Sequence, residues 1–158
     1  MTPGTAYRGR VEPGGQRLLA GAGAPDDDGA PHPALAAALA AYAADPAREP
    51  DVLEALAEAR LLVPVVAVLG ESQTGPDGLA RDKSSDMAAV HMRGADGRQA
   101  LLAFTGLEAL RRWDPDARPV PVPARTAALA ALQDGASVLL IDVAGPVQYA
   151  VHVSRQLA

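Results

Sequence analysis

The spacing of apolar residues changes several times along the chain, and each change marks an element. Leu35, Leu39 and Tyr42 fall at i, i+4 and i+7, one stripe of a helix that opens at Pro33 and stops at Asp45-Pro46. Proline suits the first turn of a helix, where its missing N–H has no partner to lose. Val52, Leu53, Leu56 and Ala59 form the inner face of a second helix, about Asp51 to Arg60, entered through Pro50. Leu61 to Leu69 is then continuously apolar, rich in valine and bounded by Gly70. That pattern predicts a strand buried on both faces. Pro64 withholds one ladder donor, which places the start of this strand at an edge or bulge.

A long polar loop, residues 70–86, leads to two arms, Met87–Arg93 and Arg98–Thr105. They bracket Gly94-Ala95-Asp96-Gly97, a hairpin signal. Thr105 with Glu108 three residues later reads as a capping box. It opens a short helix, about Gly106 to Trp113, that ends at Asp114-Pro115. Arg118-Pro119-Val120-Pro121-Val122 is extended by its prolines and fits only an edge strand. Pro123 starts a helix to about Gln133, with Gly135 as its C-cap. Ser137–Val143 is a second buried strand, and Gly145-Pro146 turns the chain into a last strand, Val147–Val153.

The order α-α-β-β-β-α-(β)-α-β-β is neither strict βαβ alternation nor all-β. It predicts an α+β fold, an α/β sandwich with a single mixed sheet of about five strands packed with about four helices. The chain has 158 residues, enough for one domain with a real core. Residues 1–31 hold 7 of the 15 glycines and 4 prolines. Few large apolar side chains accompany them, so this stretch is expected to be a flexible N-terminal arm. Residues 32–158 form the single domain. Alanine, at 35 residues, reads as padding from a biased composition in which arginine outnumbers lysine 13 to 1.

Composition also excludes chemistry. There is no cysteine, hence no disulfide and no thiolate nucleophile. No apolar run reaches the ~18 residues of a membrane span. The formal net charge of −5 argues against binding a nucleic-acid backbone. The apolar stretch after Arg8 and Arg10 is too short for a secretory h-region, so the expected location is cytoplasmic.

The search for catalytic or ligand-binding patterns returns little. Asp26-Asp27-Asp28-Gly29 suggests calcium, but the twelfth position of that loop is Ala37, not a glutamate, and the run reads as a solvated acidic turn. G-x-S-x-G, the phosphate-cradling G-x-x-x-x-G-K-[ST] and H-E-x-x-H are all absent. Ser84-Ser85-Asp86 reads as a turn. No metal and no cofactor is expected. His91, His152 and Asp142 are candidates for a small hydrolase or ligand-binding enzyme, provided that the fold brings them together. Trp113, the only tryptophan, stands beside Arg111 and Arg112 with Arg118 close by. The four read either as a partner surface or as a helix end packed on the sheet with solvated arginines.

Several linked segments have a familiar look. They are DDDGAPHPALAAALAAYA, LLVPVVAVL, MAAVHMRGADGRQALLAFTGLEALRRWDPDARPVPVPA and AALAALQDGASVLLIDVAGP. Together, over about residues 26 to 153, they resemble the SseB N-terminal domain family (enhanced serine sensitivity), its actinobacterial branch in particular. The resemblance implies no catalytic residue and no cofactor. With the empty motif search it leads to one expectation, a non-catalytic protein-interaction or regulatory module. Its contact surface would run from Thr105 to Val122, edge strand included, toward a protein partner as monomer or homo-oligomer.

Overall fold

The computed structural model describes residues 8–11, 26–68 and 86–153, with side chains left aside at 8–11, 67–68 and 86–87. Its strands are β1 (Arg8–Val11), β2 (Arg60–Val68), β3 (Asp86–Arg93), β4 (Gln99–Ala103), β5 (Arg118–Pro123), β6 (Val138–Ile141) and β7 (Tyr149–His152). Its helices are α1 (Pro33–Ala44), α2 (Glu49–Glu58), α3 (Leu107–Trp113) and α4 (Ala124–Gln133), with a 3-10 turn at Pro46–Arg48. The fold is α+β. Six strands run in the order β5-β2-β3-β4-β6-β7, and the mixed sheet is curled into a half-barrel against four helices. Only β4 and β6 pair in parallel, joined by the crossover through α3, β5 and α4.

The element order matches the sequence reading, with two additions. β1 pairs antiparallel with β3, and so falls within the segment 1–31 expected to be an arm. β2 is not an edge strand, since it lies between β5 and β3. The long polar loop and the Ser84-Ser85 turn fall outside the described residues.

Pro64 explains the curl. On the side away from β5, Leu62 exchanges two backbone bonds with Phe104, donor to acceptor 2.7 and 2.8 Å. Three residues further on, Val65 to Val68 pair instead with β3, from Ala89 back to Asp86. Pro64 shares the outward direction of Leu62 and Val66, because main-chain groups alternate sides along a strand. It sits where β2 changes partner, the one place on that edge where a missing N–H breaks no ladder. β3 makes the matching change. Its first half pairs with β2, while Val90 to Arg93 pair with β1 and His91 to Arg93 with β4. A strand shared between two pairings makes a corner.

Both faces of the central strands β4 and β6 are buried, which is why they read as unbroken apolar runs, whereas β7 alternates buried and exposed residues. Leu101, Ala103, Leu139 and Ile141 face α1, α2 and α4, where they meet Leu35, Leu39, Val52 and Leu56. Ala100, Leu102, Phe104, Val138 and Leu140 face the other way, toward Leu110 of α3. The alanines are not padding in this core. Ala127, Ala128, Ala130 and Ala131 of α4 are fully buried, as are Ala88, Ala100 and Ala103 of the strands. Small side chains let the helix lie close against a curled surface.

Turn glycines fall where the sequence places them. Gly97 closes the β3–β4 hairpin at φ +86°, and Gly135 caps α4 at φ +81°. Behind Gly135, the Ala136 N–H reaches back to the Ala131 carbonyl at 2.8 Å, the outer bond of a Schellman cap.

β5 is the edge strand expected for a proline-rich segment, and its prolines all point one way. The Ala124 N–H donates to the Ala59 carbonyl at 3.0 Å. That bond sets the parity of the ladder, so Val122, Val120 and Arg118 turn their main-chain groups toward β2. Pro119, Pro121 and Pro123 therefore face outward and offer carbonyls with no donors, which blunts the edge against strand addition. Converting Pro119 and Pro121 together to Thr should leave the β2–β5 ladder intact and restore two outward N–H groups. Light scattering should then show concentration-dependent self-association beyond that of the wild-type chain, with less than about 2 kcal/mol change in stability for the pair.

Candidate functional site

The polar groups of this protein gather where β4 ends. Phe104 is the last residue to pair, and Thr105 follows it into a buried position. The Thr105 N–H donates to Asp142 Oδ1 at 2.8 Å and its hydroxyl donates to Asp142 Oδ2 at 2.7 Å. Asp142 stands one residue beyond β6, buried, at φ +56°. Aspartate tolerates this left-handed conformation better than most residues, and two donors fix it there. Burial raises the Asp142 pKa above its ordinary value, against the lowering effect of both Thr105 donors.

The Thr105 carbonyl accepts from Arg60 Nη1 at 2.7 Å. The same guanidinium grips the segment before α1. Arg60 donates to Asp27 through Nε at 2.5 Å and Nη2 at 2.8 Å, and to the Ala30 carbonyl through Nη2 at 2.6 Å. Asp27 also accepts from the Gly29 N–H, and Arg60 holds its carboxyl below the usual range. The acidic run is thus a turn, as read from the sequence; Asp26 and Asp28 are exposed to solvent, but Asp27 is drawn onto the domain. Residues 26–31 form a strap fastened to the domain, whereas the sequence reading makes them the end of a flexible arm.

The strap then crosses the start of α3. The Leu107 N–H donates to the Gly29 carbonyl at 2.8 Å. Two glycines permit the approach. A Cβ on Gly29, at φ +78°, would lie 2.8 Å from the Leu107 Cβ, and one on Gly106 would lie 2.9 Å from Pro31. The capping box does not form. Gly106, not Thr105, precedes the helix, the Thr105 hydroxyl is taken by Asp142, and Glu108 pairs with Arg112 at 2.9 Å. A buried carboxylate is the stronger acceptor, and nothing in the local sequence signals it.

The three residues named for catalysis do not converge. His91 lies on β3, its Nε2 3.1 Å from Asp134 Oδ2 at the end of α4, without hydrogen-bond alignment. His152 is exposed on β7, three strands away and on the opposite face. At about 4.8 Å per strand that separation is about 14 Å. Asp142 serves Thr105. No group of three or more His, Asp or Glu among the described residues is placed to hold a metal.

The four residues of the expected partner surface sit together on α3 and the start of β5. Arg111, Arg112 and Arg118 are exposed, and Trp113 is half-buried against Phe104 with ring centroids 5.7 Å apart. Trp113 thus packs the helix end on the sheet, the structural role read from its position, while keeping an open edge. Glu108, Asp114 and Asp116 stand among the arginines, so the surface is mixed in sign.

These features define an α+β domain whose buried polar groups serve its own fold and whose α3–β5 face is turned to solvent. The model of the SseB protein N-terminal domain matches residues 35–155, and the chain belongs to that family. A search of curated proteins found no match, nor did a search of solved structures.

Replacing Asp142 tests the junction. Asp142→Asn keeps an acceptor for the Thr105 N–H, accepts the left-handed backbone and removes a buried charge. Its unfolding free energy at pH 7 should fall within about 1 kcal/mol of wild type. Asp142→Ala leaves the Thr105 N–H and O–H buried and unpaired, and should lose about 2–3 kcal/mol in urea denaturation.

The two aspartates also oppose each other in pH. Asp27, with a lowered pKa, stabilises the fold above its ordinary 3.8, and this is lost as pH falls through the depressed value. Asp142, with a raised pKa, contributes most below 3.8 and loses that contribution as pH rises through the raised value. Stability curves of Asp142→Asn should therefore lack the decline above pH 3.8 and keep the acid loss, whereas Asp27→Asn should show the reverse.

Proposed function

We propose that the chain is a non-catalytic cytoplasmic module for protein interaction or regulation. Its partner docks on the α3–β5 surface around Arg111, Arg112, Trp113 and Arg118. The observation that carries the reading is this segment itself, three exposed arginines within five residues of the only tryptophan, which is half-buried. Arginine and tryptophan are the residues that most often anchor an interface. Trp113 is already held in place by Phe104 and so loses little freedom on binding.

The contact is made by side chains. An edge strand can recruit a partner strand through its main chain, but the outward prolines of β5 leave carbonyls only. Nor is the surface a phosphate-binding patch, since Glu108, Asp114 and Asp116 balance the three arginines and the whole chain carries −5. The partner is accordingly a protein and not a nucleic acid or a membrane. The arginine- and alanine-rich composition further supports placing the chain in the actinobacterial branch of its family.

The rival reading, a small hydrolase built on His91, His152 and Asp142, has no support in the geometry, because the three lie in separate places.

The test is charge reversal at exposed positions, which spares the core. The full chain carrying Arg111→Glu, Arg112→Glu and Arg118→Glu should keep its circular dichroism spectrum and a melting temperature within a few degrees of wild type. Used as bait in a lysate of the source organism, it should lose the partners that the wild-type chain retains. An unchanged partner set with an intact fold would place the contact elsewhere.

A further inference from the structure

The strap shows how one acidic peptide sits on this domain, and each of its contacts is of a kind that a separate peptide makes. Asp27 gives Arg60 a two-point carboxylate contact, the geometry for which arginine is suited. The other two contacts go to main-chain carbonyls, Ala30 to Arg60 and Gly29 to the Leu107 N–H. Only two side-chain identities are read. One is the carboxylate at position 27. The other is glycine at position 29, where both the positive φ and the contact with Leu107 exclude a Cβ.

We infer that the groove formed by Arg60, Thr105, Gly106 and Leu107 is a recognition site for an acidic peptide turn of the form Asp-x-Gly, occupied in cis by residues 27–31. The inference rests on the interaction role proposed above and gives the domain a second contact, with a partner of stated chemistry. The groove residues lie within residues 35–155, which the family model matches. Arg60 is also anchored outside the strap, since its Nη1 is bound to the Thr105 carbonyl. A tethered strap competes at an effective concentration in the millimolar range, so it excludes a free peptide until its own carboxylate grip is weakened.

The experiment uses the full chain, labelled with nitrogen-15, and the synthetic peptide acetyl-Asp-Asp-Asp-Gly-Ala-Pro-amide. In the wild type, peptide at about 0.05 mM, well below the effective concentration of the strap, should leave the Thr105 and Leu107 amide signals unmoved, because the cis strap outcompetes it. In Asp27→Asn, hydrogen exchange at the Leu107 amide should quicken about tenfold or more, the loss of one charge-assisted contact. The peptide should then shift both signals in a saturable way. A peptide with Asn at its second position or Ala at its fourth should shift neither, and adding Arg60→Gln to the variant should abolish the response. The inference is overturned if Leu107 exchange is unchanged in Asp27→Asn, if the peptide fails to bind that variant, or if wild type and variant respond equally. Asp27→Glu, which keeps the charge and alters the reach, serves in the same way should Asp27→Asn give a collapsed spectrum. The charge-reversed α3–β5 variant must retain wild-type behaviour here, so the two surfaces fail or stand separately.

Discussion

Thr105 is the residue on which the arrangement of this domain depends. Its N–H and hydroxyl are spent on Asp142, its carbonyl on Arg60, and through Arg60 it reaches Asp27. The residue before it exchanges backbone bonds with Leu62, and the residue after it opens the path for the strap. A buried polar group without a partner is costly. The end of β4, the end of β6, the start of β2 and the strap therefore hold their positions jointly, and no one of them shifts without stranding a group on another. Asp142 holds its left-handed backbone with both carboxylate oxygens bonded to Thr105.

This junction is what the sequence does not disclose. Helices, hairpin and the positions of the strands along the chain are legible because their signals are local, whereas the order of the strands within the sheet is not. Prolines open α1 and α2, glycine at positive φ closes the β3–β4 hairpin and α4, and unbroken valine and leucine runs mark strands covered on both sides. Thr105 and Asp142 are 37 residues apart, and Asp27 and Arg60 are 33 apart. Periodicity carries no information about pairs at that range. The Thr105–Glu108 spacing supports a capping box on local grounds alone, and the helix start moves by one residue because a distant carboxylate claims the hydroxyl. Trp113 was legible as a helix-end aromatic, since an isolated large ring next to a stop signal has few other uses.

Proline governs the sheet in two ways that sequence reading separates only in part. On β5 the outward prolines remove donors from an edge, as the extended proline-rich pattern suggests. On β2 the same residue type lies in the interior of the sheet. Pro64 is tolerated there because the strand changes neighbours at that point, from Phe104 to β3. One proline in a valine run thus marks a corner as readily as an edge. The alanines extend the point. Along α4 they form a flat, narrow face that a curled sheet can approach, so the residue type that looks least informative sets the depth of the core.

The use to which buried polar groups are put bears directly on function. His91 lies in an otherwise apolar layer and meets Asp134 at the end of α4. Buried charged or polar pairs of this kind contribute little to stability and more to register. A one-residue slip of β3 would turn His91 to the other face and break the contact. Asp142 ties two strand ends, and Arg60 ties the strap to the sheet. Asp142 and Arg60 are thereby committed to structural partners, while His91 lies beside Asp134 without an aligned hydrogen bond. A domain that spends its interior polarity in this way keeps its free polar side chains on the outside. There, the exposed arginines of α3 and β5 lie close along the chain to an aromatic ring packed on Phe104.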